Sequence, residues 1–365
     1  MKGQTGQPGK REIRRTTVTV FGNNASTFAL DRYTRELAAN FPPSVAAKPV
    51  YFHSQKTGIR QQLDRYWGYL RLARREQGDY NVIVSEGCAY LLWALPTERT
   101  ICVCHDVHSL KYAGPKDLHH RLYDVRYHLN LHLLPRAKFV VTVSRNTRTE
   151  LLKFCPFIPE EKVIAVHNGI DDYWKPIREE EALNEFRARH QLTGKRVVLH
   201  VGGDVFYKNM GTVVRAFTQL TQPDLVLLQV GGLTRETQNL IDTLGIRQRF
   251  RHLSNLPDSD LVMLYNIASV LVFPSLSEGF GWPPVEAMAC GCPVIASACA
   301  SLPEVCGDAC LYVRPVNVAE VAAAIATVFS DQALRHTLSE QGQQQAAKFS
   351  WKKTASEFLE LFQRS

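Results

Sequence analysis

No apolar run in these 365 residues approaches the roughly 20 that a helix needs to cross a bilayer. Met1 to Arg15 is polar and basic, with no apolar stretch behind its charges, so it is no secretory signal, and the chain is expected to stay in the cytoplasm. Zinc-ligand spacing is missing too. Cys102 and Cys104 alternate along one apolar run, and Cys290 and Cys292 flank a glycine. The nine cysteines, an odd number in a chain too large to need disulfide staples, read as small buried hydrophobes of a reducing compartment. The loop after Phe21 carries a single glycine, Gly22, and is therefore no dinucleotide fingerprint. No element combines aromatic and basic residues as nucleic-acid readers do. Of the net charge of +8, five cations and one anion in the first fifteen residues supply +4, which reads as a disordered basic tail. The excess alone leaves nucleic acid, anionic lipid and an anionic substrate open.

What the chain does have is strand-like runs alternating with helical segments. A first set is Thr16–Phe21, Val50–His53, Asn81–Val84, Ile101–Cys104, Phe139–Val143 and Val163–Val166. A second set is Arg196–Val201, Leu225–Val230, Val270–Phe273, Val294–Ala296 and Cys310–Val313. Short β-branched runs at these spacings predict two doubly wound parallel sheets, an α/β architecture. The seam falls near His167–Pro176, where turn residues end the first set. The expected units are a tail over 1–15, a first domain over 16–172, a second over 173–348, and a terminal segment over 349–365.

One stretch organises the rest: Ser275-Leu-Ser-Glu-Gly-Phe-Gly-Trp-Pro-Pro-Val-Glu-Ala-Met-Ala-Cys-Gly-Cys-Pro-Val-Ile295. Buried strands precede and follow it. Trp282 stands before a proline and Pro283 suits a first helical position, so a helix is predicted to start at about residue 283. Glu278 lies on the loop and Glu286 in the first turn, and the turn at Gly279 and Gly281 lets both face one cleft. Backbone N–H groups there are free to receive an anion such as a diphosphate. A carboxylate beside an anion site makes sense if it accepts hydrogen bonds from hydroxyls, and a nucleotide sugar presents both features.

The Glu278-x7-Glu286 spacing, with Glu-Gly-Phe-Gly, Glu-Ala-Met-Ala-Cys-Gly and Pro-Val-Ile-Ala-Ser, closely resembles the family 4 retaining glycosyltransferases of the GT-B fold. An ordinary strand-loop-helix does not need two prolines, two glycines and two glutamates in that order. The resemblance implies two Rossmann-like domains facing an interdomain cleft, with the last helix, Thr354–Phe362, crossing back to the first domain. It implies a donor site of Gly203, Lys208, Asn209, Glu278, Gly279, Phe280, Gly281 and Glu286. Glu286 would accept from the ribose diol. Glu278 would hold hexose hydroxyls near an oxocarbenium-like transition state, and Lys208 would hold the diphosphate.

Other motifs carry two readings each. His105, in Cys104-His-Asp-Val-His-Ser109, follows a buried strand and resembles the family histidine that reaches the donor sugar; otherwise it is a strand-end histidine. The resemblance makes His105, Glu278 and Lys208 the catalytic set. Val201-Gly-Gly-Asp-Val-Phe-Tyr-Lys-Asn209 has Asp204 where the family commonly has arginine. The helix 59–77 puts Ile59, Leu63, Tyr66, Leu70 and Ala73 on one face, with Arg60, Arg65, Arg71, Arg74 and Arg75 around it. It is either a contact for anionic membrane or, the favoured reading, a helix on the sheet with a solvated basic face. His128 and His132 are one turn apart, but no third ligand follows. Asp258-Ser-Asp260 formally matches D-x-D, yet Asp258 is expected as a helix N-cap, so no metal or other cofactor is predicted. Glu304 reads as packing behind the site.

The function implied is transfer of a hexosyl group from a nucleoside-diphosphate sugar to an acceptor hydroxyl, with retention, in surface-polysaccharide or glycolipid assembly. The acceptor is expected to be a hydroxyl compound such as a lipid-linked glycan. The alternatives are a GT-B-type nucleotide-sugar epimerase and a basic nucleic-acid-binding protein.

Overall fold

The computed structural model describes residues 15–22, 28–54, 58–112 and 118–364. Several expectations lie outside the described residues. These are the tail up to Arg14, the loop 23–27, and the side chains of Ile59, Arg60, Leu63, Arg65, His119, His120 and Tyr123.

Twelve strands form two six-stranded sheets, parallel throughout. The first contains β1 (Thr16–Phe21), β2 (Val45–Val50), β3 (Tyr80–Ile83), β4 (Thr100–Cys104), β5 (Phe139–Thr142) and β6 (Val163–Ala165), in the order β2-β1-β3-β4-β5-β6. The second contains β7 (Arg196–Val201), β8 (Leu225–Val230), β9 (Phe250–Leu253), β10 (Ala268–Phe273), β11 (Val294–Ser297) and β12 (Leu311–Val313), in the order β12-β11-β10-β7-β8-β9. Order reverses between β1 and β3 in one sheet and between β7 and β10 in the other. A crevice opens outside the carboxyl ends at such a point.

Helices cover both faces of each sheet, which is why the central strands are apolar on both sides. One apolar core runs continuously through both halves, from Val18 and Leu37 through Trp174 and Phe280 to Phe358 and Phe362. A separate core backs each sheet on its other face. The last helix, Trp351–Gln363, begins on the second half and ends on the first. Phe362 stacks on Tyr80 at 4.5 Å, and its carbonyl accepts from Lys138 Nζ at 2.9 Å. All nine cysteines are free thiols and eight are buried.

Two strands depart from the sequence pattern: β9 matches none of the expected runs, and β2 is displaced. β2 is Val45–Val50 and not Val50–His53, and it contains Pro49. A proline has no N–H to donate to a ladder and is tolerated at a sheet edge, and β2 is the edge, bonded to β1 alone.

Candidate functional site

The second sheet's switch point gathers the organising stretch. β7 is followed by Gly202, whose φ of +140° suits glycine. A Cβ there would sit 3.3 Å from the Lys208 stem, so the missing side chain lets Lys208 lie across the strand end. Lys208 Nζ donates to Glu278 Oε1 at 2.7 Å and lies 4.7 Å from the Phe273 ring centroid. Ser275 Oγ donates to the same oxygen at 2.6 Å. Glu278 is buried, and its Oε2 has no hydrogen-bond partner among the described residues. Asn209 is turned inwards. Its amide donates to the carbonyls of Pro274 and Pro315 and its Oδ1 accepts from Thr212, so it fixes the turn that carries Lys208. Asp204 accepts from Thr234 N–H and Oγ, bracing the helix start there.

The helix of the organising stretch is Trp282–Ala289, with Gly281 as N-cap at φ +98°. Pro283 and Pro284 therefore occupy its second and third positions and bring no N–H. The expected row of free amide donors is reduced to Gly281, Trp282 and the preceding turn. That turn is pressed against the first half. A Cβ on Gly279 would fall 1.9 Å from the His105 carbonyl oxygen, so only glycine fits. Gly279 also accepts from Thr147 Oγ1 at 3.2 Å.

His105 itself donates from Nε2 to the Val84 carbonyl at 2.8 Å. Burial holds its pKa below the usual imidazole value, so the ring is neutral and Nδ1 keeps a lone pair. Tyr33 meets it edge-on at 4.8 Å.

The two halves face each other with their strands' carboxyl ends. His108 packs on Tyr207 at 4.4 Å and Tyr112 on Phe206 at 5.0 Å. Glu304 crosses the seam to accept from the N–H groups of Arg145 and Asn146, which open the helix Arg145–Phe154, and pairs with His167 at 2.5 Å.

Residues 183–345 match the family described as Glycosyl transferases group 1, and residues 12–173 match Glycosyltransferase Family 4. The O-antigen chain mannosyltransferase B of Escherichia coli is 30% identical over 276 residues, which are 73% of this chain and 70% of that one. The D-inositol 3-phosphate glycosyltransferase of Corynebacterium aurimucosum is 28% identical over 320 residues, 81% and 74% of the two chains. HepE from Anabaena, solved in complex with UDP and glucose, superposes with a TM-score of 0.80 at 18% identity, over 95% of this chain and 99% of that one. This chain belongs to the group 1, family 4 glycosyltransferases. Its fold is GT-B.

Within this glycosyltransferase the structure brings Lys208, Glu278, Gly279 and the His105 strand end together. Gly203 follows Gly202 at the same strand end, and nothing lies within 4 Å of where its Cβ would be. Phe280 is buried against Phe349 rather than facing the cleft. Glu286 is placed differently from the expectation that it shares an open cleft with Glu278. It sits in the second turn of its helix, 3% exposed, and accepts from Arg32 Nη1 and, at 3.1 Å, from Tyr265. Arg32 comes from the first half, on the helix Phe28–Ala39, and also binds Asp171 in the seam. Trp174 and Trp282 lie 5.4 and 5.1 Å from its guanidinium. Burial works against the charge on Arg32, but Glu286 and Asp171 outweigh it and hold the pKa above the usual arginine value. Burial raises Glu286 in turn. Asp258 is also corrected. It is the first helical residue, preceded by Pro257 as N-cap, and accepts from Tyr173 at 2.7 Å. Among the described residues no helix is long and apolar enough to cross a membrane.

The sequence reading missed Arg32, Asp171 and Ser275. Ser275 opens the organising stretch and was within reach; the others are joined to the site only by folding.

Proposed function

We infer that this glycosyltransferase moves a hexosyl group from a nucleoside-diphosphate sugar to an acceptor hydroxyl, with retention. The observation that carries the reading is the part-buried Lys208–Glu278 pair at the switch point of the second sheet. A lysine held by a carboxylate at a strand end is placed to take a diphosphate, and its charge opposes the negative charge that builds on the departing nucleoside diphosphate. Glu278 Oε2 then accepts from the hexose and stands by the cationic transition state. His105 Nδ1 accepts from a further sugar hydroxyl. Gly203, Gly279 and Gly281 let backbone approach the diphosphate. Glu286 serves the ribose diol when a donor displaces Arg32 from it. Phe280 and Asn209 hold the site's walls. The chemistry described needs no metal.

The E. coli relative, a mannosyltransferase of O-antigen chains, supports a role in surface-polysaccharide assembly and a mannosyl donor. A place on the inner face of the plasma membrane is supported by Trp67 and Trp93, 64% and 60% exposed on the first half, with Arg71 and Arg74 exposed on the same helix as Trp67. Pelleting with anionic vesicles tests that contact.

The reading as a whole is tested by a thermal-shift screen of nucleoside diphosphates. The sugars of the best binder are then supplied with acceptor and followed by NMR. A product of inverted anomeric configuration refutes retention, and an epimerised free sugar without transfer refutes the transferase reading.

A further inference from the structure

Arg32 grips two carboxylates at once, and only one of them is assigned to the donor. Its Nη1 donates to Glu286 Oε1 and its Nη2 to Asp171 Oδ2. The three side chains come from three parts of the chain: the helix Phe28–Ala39 of the first half, the connection between β6 and the helix Glu180–Arg189, and the helix Trp282–Ala289 of the second half. All three are buried. The two indoles beside the guanidinium are themselves pinned to the connection. Trp174 Nε1 donates to Asp171 Oδ2 at 3.4 Å, and Trp282 Nε1 donates to the Gly169 carbonyl at 3.0 Å.

Both oxygens of Glu286 are engaged, Oε1 by Arg32 and Oε2 by Tyr265 at 3.1 Å. A ribose diol approaches a carboxylate with two O–H donors and needs the lone pairs that Arg32 occupies. A guanidinium bonds a carboxylate more strongly than a neutral hydroxyl does. Ribose therefore gains Glu286 only if the displaced cation has another anion to sit on. Asp171 is that anion. It lies in the connection and outside the donor loop, so Arg32 can leave Glu286 and remain paired.

We propose that Arg32 is an autoinhibitory latch: in the empty enzyme it occupies the carboxylate that takes the donor's ribose diol, and a bound donor shifts it onto Asp171 alone. The latch rests on the transferase reading above, with Glu286 as ribose ligand. Removing one partner of a buried ion pair is costly because the other charge is left alone. Neither position of this latch does that. With the cleft empty, one cation serves two anions; with a donor bound, Arg32 serves Asp171 and the diol serves Glu286. Two satisfied arrangements of one side chain make a switch, and nucleotide affinity is weakened by the fraction of molecules in which Glu286 is held by Arg32.

The test uses the full chain, the nucleoside diphosphate picked by the thermal-shift screen and its 2′,3′-dideoxy counterpart, with Kd read by isothermal titration calorimetry. In the unmutated chain the two should bind within about threefold of each other, because the diol's bonds to Glu286 replace those of Arg32. Arg32→Gln removes the competitor, and should tighten the ribonucleotide about tenfold while the dideoxynucleotide stays within about twofold. Adding Glu286→Gln to Arg32→Gln should abolish that gain. Asp171→Asn should act in the opposite direction. A displaced Arg32 then has no carboxylate, so the ribonucleotide should weaken about tenfold and the dideoxynucleotide should not. A cooperative melting transition certifies that each variant folds, and Asp171→Asn with the unmutated chain carries the test if Arg32→Gln does not. A ribonucleotide weakened by Arg32→Gln or tightened by Asp171→Asn overturns the latch, as does a ratio of the two affinities that no folded variant moves. So does a diol that already improves binding by more than about threefold in the unmutated chain. Absence of nucleotide binding in the unmutated chain would instead sink the transferase reading beneath it.

Discussion

Two buried carboxyl groups, Glu278 and Glu86, occupy comparable places in the two halves, each a few residues past a strand that flanks its sheet's switch point. Glu278 meets a lysine at 2.7 Å and a serine at 2.6 Å, so its charge is compensated before any ligand arrives. Among the described residues Glu86 meets no such cation. Burial first, and then the charge of Asp106, push its carboxyl up to about 8. Similar architecture therefore presents a matched ion pair on one side of the cleft and, on the other, an acid whose carboxyl is served by backbone N–H groups and keeps one oxygen unpartnered. The first suits an anionic leaving group and a cationic sugar; the second suits hydroxyls. Fold symmetry does not carry over to chemistry, which is set by the neighbour each acid is given.

The comparison holds only while the halves are kept facing, and Arg32 is the strongest tie between them. Arg32→Ala leaves Glu286 and Asp171 buried without their cation, and should cost about 3–5 kcal/mol in urea unfolding. A loss below about 1 kcal/mol would mean that the seam is held by apolar packing alone. Next, Lys208→Ala makes Glu278 resemble Glu86. It should lower kcat/KM about 10²- to 10³-fold, equivalent to about 2.7–4 kcal/mol of transition-state stabilisation. Unchanged turnover would remove the contrast between the two acids.

The stretches that were readable beforehand are those whose physics is local. β7 and β8 fall where their apolar runs place them, since a strand buried on both faces is a short unbroken apolar run. Lys208 and Glu278 each follow a strand end by a few residues, and the family resemblance put both in one donor site; that the two would pair with each other was not legible. Arg32 did not, because its partners are 139 and 254 positions away and no spacing rule connects them. Glu86 looks like any acid in a Ser-Glu-Gly turn until the fold closes Asp106 over it. β2 was shifted because Pro49 discourages a strand except at an edge, and edge position is a property of the sheet. The two prolines marked the helix start within one residue, yet their cost in amide donors shows only once the helix is seen to start at Trp282.

Glu86 and His200, one in each half, should separate by pH. For Glu86 the folded pKa of about 8 exceeds the usual carboxylate value of 4.5, so the folded state binds the extra proton. Its contribution is fully present below pH 4.5 and is lost as pH rises towards 8, about 2–3 kcal/mol of it between pH 5 and 7. In the other half, His200 is buried neutral with a pKa lowered to about 4 from 6.5, mainly by burial. That group has the opposite slope, with stability falling as pH drops from 6.5 to 4. Unfolding free energies of Glu86→Gln and His200→Asn, measured against pH, should each flatten one limb of the curve. Both variants flattening the same limb would contradict the assignment.

The smallest effect is expected at Glu304, which crosses the seam to the start of the helix Arg145–Phe154. Burial works against its charge, but His167 and the N–H groups of Arg145 and Asn146 outweigh that and hold its pKa below the usual carboxylate value. Its contribution is therefore present at neutral pH and is lost as pH falls through that lowered value. Glu304→Gln keeps an oxygen for one N–H and gives up the ionic bonds, which should cost about 1 kcal/mol. Because Glu304 touches neither Lys208 nor Glu86, nucleoside diphosphate affinity should stay within about twofold while the acceptor KM rises modestly, as the seam loosens on the acceptor's side. Equal losses in both affinities would place Glu304 in the donor site itself, and the two ends of the cleft would then be less independent than Glu278 and Glu86 suggest.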